Sequence, residues 1–375
     1  MALSAGLVVA NLYYCQPLIP LIADSFNISA EEAGRITWIT QAGYALGLFF
    51  IVPLGDVIEK KRQILACTFA TSFFMLLASA SSTFSMLAVC CFLVGLTSIV
   101  PQLILPFAAT LSSEEQRGRA IGIVMSGLLV GILASRALSG AVGAFLGWRA
   151  TFLLGAGACM SVMAGLYFLL PQSKPVQVIP YRLLMKSVIH YFNSVPQLRI
   201  ASVINALSFS VVSSFWVVMV LYLSEAPFHF NAWQIGFFGL AGAAGALAAP
   251  VTGRLSSAGN GNTFILTGLL FELASFAVFV FMGSSMALLI AGIFLLDIGH
   301  QMIQIINQLR IYSIKPEARN RFNTAFMTTY FLGGTGGAAL GISLWNAGGW
   351  SVYCAGCATI VLVNFLVYYI SRRAA

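Results

Sequence analysis

Glu115-Gln116-Arg117-Gly118-Arg119 and Glu317-Ala318-Arg319-Asn320-Arg321 stand 202 residues apart, each just ahead of a long apolar run. The same offset relates Phe26-Asn27-Ile28-Ser29-Ala30 to Phe228-His229-Phe230-Asn231-Ala232, Gly34 to Gly236, Gly147-Trp148 to Gly349-Trp350, and Gln102 to Gln304. One such match is within chance; a constant offset at corresponding places argues for a duplicated unit. Composition says what kind of unit it is. Of 375 residues, 59% are hydrophobic and 8% charged, whereas a soluble domain carries about 25% charged residues to cover its surface. Lipid must therefore solvate most of this chain.

A helix crosses the hydrocarbon core with about 20 apolar residues, and helix is the default because every backbone polar group must be satisfied internally there. Charges, Gly/Pro clusters and short polar breaks cut the sequence into runs at 2–23, 36–58, 63–81, 85–111, 120–145, 150–170, 199–223, 233–252, 263–282, 286–311, 322–344 and 350–371. The expected fold class is an all-α integral membrane protein with twelve transmembrane helices in two parallel-repeat six-helix halves. The halves are 1–171 and 199–375, with a hydrophilic cytoplasmic linker at 172–198.

Assigned alternately to the two sides, sixteen bases fall on one: Lys60, Lys61, Arg62, Arg117, Arg119, Lys174, Arg182, Lys186, Arg199, Arg254, Arg310, Lys315, Arg319, Arg321, Arg372 and Arg373. The other side receives Arg35 and Arg149, and Arg136 falls inside a span. That asymmetry places both termini and the linker in the cytoplasm. It also accounts for the net charge of +8 without a nucleic-acid partner. No basic n-region precedes the first span, so no cleavable signal is expected. The first span also starts without the basic cytoplasmic lead that would help orient it, which leaves a truncated chain or a copy losing function open. The seven cysteines all lie in apolar stretches and read as small buried hydrophobes.

Leu54-Gly55-Asp56-Val57-Ile58-Glu59-Lys60-Lys61-Arg62 resembles the signature loop of the major facilitator superfamily, in which an acid, a glycine and a basic pair recur. Asp56 and Lys60-Lys61 hold the matching places, while Glu59 stands for a glycine and Val57 for a base. The resemblance covers essentially the whole length and is nearest the drug:proton antiporter branch. Arg117-Gly118-Arg119-Ala120, Arg319-Asn320-Arg321-Phe322-Asn323-Thr324 and Tyr330-Phe331-Leu332-Gly333-Gly334 look like a bacterial subgroup of such transporters. Two places depart from the branch. Span 5 reads Gly131-x-x-x-Ser135-Arg136-x-x-Ser139-Gly140 instead of carrying a glycine-proline pair, and Cys91 stands where span 4 usually has an arginine.

Gly55, Asp56, Lys60, Lys61 and Arg62 read physically as a gating loop. A carboxylate at one helix end can accept charge-assisted hydrogen bonds from bases on the next helix in one conformation and lose them in another. The same bases also serve as a plain topology signal, and both roles are compatible.

Ionisable residues inside a membrane are costly, so each one is a functional candidate. They are Arg136 in span 5, Glu272 in span 9, and Asp297 with His300 in span 10. Asp297, His300, Gln301, Gln304, Asn307 and Gln308 form a polar stripe on one face of span 10. It faces either a wet cavity or a partner helix. Asp297, His300 and Arg136 are the proton-coupling candidates; a permanent Arg136–Asp297 structural ion pair is the alternative. Asn11 and Tyr14 on span 1, Gln102 on span 4, and Asn205 and Trp216 on span 7, where Ser202 and Ser208 share the face, are further cavity candidates. In the family the resemblance implies, spans 1, 4, 7 and 10 line the central cavity. Glu272 has no partner base in sight. Gly43-x-x-x-Gly47, Gly127-x-x-x-Gly131 and Gly333-x-x-x-Gly337-x-x-x-Gly341 permit close helix approach and suit helices that slide between the halves.

The expected function is secondary active transport of a small organic solute by alternating access, as proton-coupled efflux, in the bacterial inner membrane. The alternatives are a uniporter, a proton symporter or a degenerate non-transporting member. The partners are the small-molecule substrate, protons and membrane lipid, with the chain as a monomer. No cofactor and no metal are expected. An enzyme is not expected either, since His190, His229 and His300 are too scattered for a catalytic cluster. No Walker-type loop provides for ATP.

Overall fold

The computed structural model describes residues 1–172, 180–242, 261–315 and 318–373, without the side chains of 109, 114, 115, 117, 118 and 373. Lys174, Arg254, Glu317 and the later part of the expected span 233–252 lie outside the described residues, as do the side chains of Arg117 and Arg373. What is described is helical, with no strand.

The helices are α1 (Ala2–Ala10), α2 (Ile19–Phe26), α3 (Ala30–Phe50), α4 (Lys60–Ser79), α5 (Phe84–Thr97), α6 (Val100–Leu111), α7 (Glu114–Leu146), α8 (Trp148–Leu169), α9 (Tyr181–Ser194), α10 (Pro196–Ser224), α11 (Ala232–Phe238), α12 (Gly261–Phe281), α13 (Met286–Ile314) and α14 (Arg319–Arg373). Among the described residues, nine helical stretches are long and apolar enough to cross a membrane by length and composition. One of them, α14, contains non-helical backbone at Gly348 and Gly349, between the runs read from sequence as 322–344 and 350–371.

The 202-residue register recurs in backbone detail. Ser29 accepts a hydrogen bond from Glu32 N at 3.1 Å and Asn231 from Gln234 N at 3.0 Å, each capping a helix start. Thr83 and Ser285 do the same for Met86 N and Leu288 N. Each cap satisfies one donor that a helix N-terminus leaves open. Gly147 and Gly349 both adopt positive φ, 84° and 63°, directly before Trp148 and Trp350.

The run expected as one first span is broken. It leaves helix after Ala10, turns through Asn11–Cys15, passes a 3-10 turn at Gln16–Leu18 and resumes as α2. Pro17 and Pro20 are the cause, since neither can donate a helical hydrogen bond. The expected fourth span breaks likewise between α5 and α6, at Ser98 and Ile99, with Pro101 in the first turn of the new helix.

The chain divides into two compact units, Met1–Ser187 with Asn231–Gly239, and Val188–Phe230 with Leu240–Ala375. The segment expected as a linker, 172–198, carries α9, and the boundary falls within that helix. In the first unit α11 lies on α7 because glycines remove the side chains between them. A Cβ on Gly140 would strike the Ala232 carbonyl, and one on Gly236 the Arg136 carbonyl.

The glycine stripes are used differently from the sliding surfaces expected between halves, because each is filled by backbone of its own unit. Gly43 and Gly47 of α3 abut the Phe92 and Leu96 carbonyls of α5, and Gly127 and Gly131 of α7 abut Ala2 and Gly6 of α1. Gly333 and Gly337 of α14 abut Ala206 and Ser210 of α10. Close backbone approach of this kind is how helices associate where water supplies no driving force.

Candidate functional site

In the loop between α3 and α4, two of the bases have partners other than the loop's family-matching acid, Asp56. Arg62 pairs with Glu59 at 2.9 Å, across one turn. Lys61 reaches away from the loop and donates to the Leu170 carbonyl at 2.6 Å, with its ammonium 5.5 Å from the Tyr167 ring centre. An ammonium at the open carbonyls of a helix C-terminus is stabilised by the helix dipole, so Lys61 ties the start of α4 to the end of α8. Gly55 is buried against the Gln63 side chain. Asp56 and Lys60 are half-buried, and Arg62 is exposed.

In the first unit, Arg136 sits buried on α7. Its Nε donates to Gln16 Oε1 at 2.7 Å and its guanidinium lies 4.7 Å from the Tyr13 ring centre. Both partners come from the unwound stretch of the first span, so the proline break presents them to the arginine. Gly239 completes the enclosure: a Cβ there would meet the Arg136 stem at 2.6 Å. Neighbouring polar positions are buried as well. Asn11 donates from Nδ2 to Cys159 Sγ at 3.3 Å and leaves Oδ1 without a partner; Tyr14 is buried, and Gln102 half-buried. Cys91, standing where the resemblance implies an arginine, has its Sγ 3.9 Å from that of Cys15.

The second unit brings together residues that sequence spacing did not connect. His300 on α13 uses both ring nitrogens: Nδ1 lies 2.8 Å from Ser208 Oγ on α10, and Nε2 lies 2.9 Å from the Tyr330 hydroxyl on α14. Ser208 in turn donates to Glu272 Oε1 on α12. The result is a continuous line Glu272–Ser208–His300–Tyr330 across four helices. Phe209 stacks on Tyr330 with centroids 3.9 Å apart and on His300 at 5.6 Å, fixing the imidazole plane. Gly268 and Gly299 make the line possible, since a Cβ on Gly299 would stand 3.2 Å from Glu272 N and one on Gly268 would meet the Gly299 carbonyl. Glu272 is wholly inaccessible, its Oε2 has no partner, and among the described residues no lysine or arginine pairs with it. Asp297 lies one turn before His300 on α13 and is also buried.

The remaining candidates divide by what they touch. Asn205 on α10 and Asn307 on α13 are buried with neither amide atom partnered. Buried polar groups are nearly always hydrogen-bonded, so this pair is conspicuous. Ile204 and Ile306, their sequence neighbours, pack in one apolar cluster with Ile265, Leu269, Ile303 and Tyr368. Orphaned buried atoms also occur at Ser98 and, away from the expected cavity spans, at Thr37 and Thr151. Gln301 and Gln304 are half-buried, and Trp216 is buried. Gln308 donates to the Tyr312 hydroxyl at 3.0 Å, which donates to Asn323 at 2.8 Å, and so links α13 to the start of α14.

The sequence profile of the Major Facilitator Superfamily matches residues 1–338. A transporter named YgaY from Escherichia coli (strain K12) is 41% identical over 370 residues, which are 98% of this chain and 94% of that protein. A transporter named SCO4007 from Streptomyces coelicolor is 28% identical over 358 residues, 95% and 83% of the two chains. Among solved structures, the human organic anion transporter MFSD10 (TETRAN) superimposes with a TM-score of 0.74 over 98% of each chain at 15% identity. At that identity the likeness is one of fold.

Proposed function

This chain belongs to the Major Facilitator Superfamily, and from that premise we propose that it is a secondary active transporter coupling efflux of a small organic solute to proton entry. Twelve spans in two six-helix halves, related as a parallel repeat, carry the solute by alternating access. Both termini face the cytoplasm of a bacterial inner membrane, and the chain acts as a monomer. The paired caps and paired positive-φ glycines at a 202-residue offset support the repeat.

The observation that carries the coupling is the burial of Asp297 and His300 on α13, and of Arg136 on α7, in a chain with so few charges. Intramembrane ionisable residues mark ion and proton pathways. Asp297 takes and releases the transported proton, with His300 and Arg136 as the further coupling residues. Asn11, Tyr14, Gln102, Asn205, Trp216, Gln301, Gln304, Asn307 and Gln308 supply the solute-facing polar surface, the unpartnered amides of Asn205 and Asn307 being its strongest support. Gly55, Asp56, Lys60, Lys61 and Arg62 form the gating loop, in which Lys61 at the end of α8 holds one access state.

Proton flux into proteoliposomes on addition of candidate organic solutes tests this reading. Solute-dependent proton movement in the direction opposite to solute is the expected result. Solute movement without protons would reduce the protein to a uniporter, and movement of both in the same direction would make it a symporter.

A further inference from the structure

Glu272 belongs to none of the groups assigned above, yet it is a wholly buried carboxyl with one oxygen on Ser208 and the other unpartnered. Ser208 has a single hydroxyl proton and stands between two groups that can each hold or release one, Glu272 Oε1 and His300 Nδ1. A hydroxyl in that position must accept from one neighbour while it donates to the other. Two of the line's hydrogen-bonding arrangements are therefore related by a concerted shift of two protons, which carries one net proton from Glu272 to His300.

We propose that Glu272 is a second proton-holding residue of this protein, exchanging its proton with His300 through the Ser208 hydroxyl. In one arrangement the Glu272 carboxyl donates to Ser208 Oγ, Ser208 donates to Nδ1 of a neutral His300, and Nε2–H donates to the Tyr330 oxygen. In the other, the carboxyl proton has passed to Ser208 Oγ as the serine's own proton passed to Nδ1. That leaves a Glu272 carboxylate accepting from Ser208, an imidazolium donating from both nitrogens, and the serine unchanged. No electron moves and no proton is gained or lost. The exchange gives the buried His300 a charge that varies without contact with water, one turn from Asp297.

Other titratable groups lie on the helices that carry this line. Asp297 lies on α13 itself, Tyr330 on the first part of α14, and Tyr353 on the later part, its ring 6.3 Å from that of Phe276 one turn beyond Glu272. Asn205, one turn from Ser208 on α10, is polar but does not titrate.

The functional meaning of the exchange rests on the proton-coupled reading above, so the test has one arm that needs no transport. In the full chain in proteoliposomes, infrared pH titration should show a protonated carboxyl band that is lost in Glu272→Gln. That band should titrate together with the imidazole nitrogen signals assigned through His300→Gln. Ser208→Ala should separate the two midpoints. Absence of any Glu272 band at every pH where the protein is folded, or a band indifferent to both Ser208→Ala and His300→Gln, would overturn the proposal. Should Glu272→Gln not fold, the shift of the wild-type band in Ser208→Ala decides on its own.

The second arm follows the pH profile of solute-driven proton flux. Glu272→Gln should flatten it while solute exchange persists, and Glu272→Asp should restore part of it. An unchanged profile overturns the proposal and leaves the transport reading intact. A coupled band in a protein that moves no protons supports the proposal and sinks the transport reading instead.

Discussion

Asn27 and His229 share a left-handed backbone, φ 53° and 50°, at the same step of the two sequence repeats. Each lies two residues before a helix-capping side chain, Ser29 or Asn231. Residues other than glycine adopt this conformation at a cost of about 1–2 kcal/mol, with Asn and His among those that tolerate it best. The cost should be removable. Asn27→Gly and His229→Gly should leave thermal stability in detergent unchanged or raised, whereas Asn27→Val should lower it by about 1–2 kcal/mol. Equal stability of the Gly and Val variants would show that the geometry is not required.

Two glycines one residue apart on α14 should behave oppositely. Gly337 has Ser210 backbone where its Cβ would stand, while Gly336 has nothing within 4 Å. Gly337→Ala must force α10 and α14 apart and should destabilise by about 1–3 kcal/mol or more. Gly336→Ala should gain up to about 1 kcal/mol from helix propensity. Thermal unfolding of both variants under one detergent condition checks the contrast.

The loop after α3 should owe more to Lys61 than to Arg62. Arg62 is paired with Glu59 but is exposed to solvent, and pairs of that kind contribute about 0–1 kcal/mol. Lys61 makes a charge-assisted bond to a helix-end carbonyl, worth about 1.5–3 kcal/mol before screening by solvent. Lys61→Met should therefore shift cysteine labelling between the two membrane faces, and Arg62→Ala should not. Asp56→Asn belongs in the same series, since its carboxylate is the loop's family-matching acid.

Topology can be read independently of activity. Reporter fusions after Ser173 and after Ala375 should both report the cytoplasm, as the base asymmetry requires. An external signal from either would break the six-plus-six scheme.

The sequence was legible where one residue type has one physical consequence. The glycine stripes mark close backbone contact, as their spacing implied. Which backbone fills each stripe was not legible, because that depends on helix packing and not on the stripe itself. Pro17 and Pro20 announced the break in the first span, yet they were absorbed into an apolar run whose overall hydropathy argued for continuity. The partner of Lys61 was hidden for another reason: it is a main-chain carbonyl 109 residues away, which no side-chain pattern encodes. Glu272 looked partnerless because its neighbours were sought among bases. Its actual contact is a serine 64 residues away, brought level by the Gly268–Gly299 crossing.

The central claim is that Asp297 carries the transported proton, and it is tested by comparing solute exchange, proton-driven uptake and thermal stability in Asp297→Asn, Arg136→Gln and the double variant. A carrier role predicts that Asp297→Asn folds, exchanges solute and fails to accumulate it against a gradient, with the double variant still uncoupled. A purely structural ion pair predicts instead that either single variant loses about 3–5 kcal/mol by stranding a buried charge. In that case the double variant would regain both stability and proton-driven uptake, and that recovery would contradict the account.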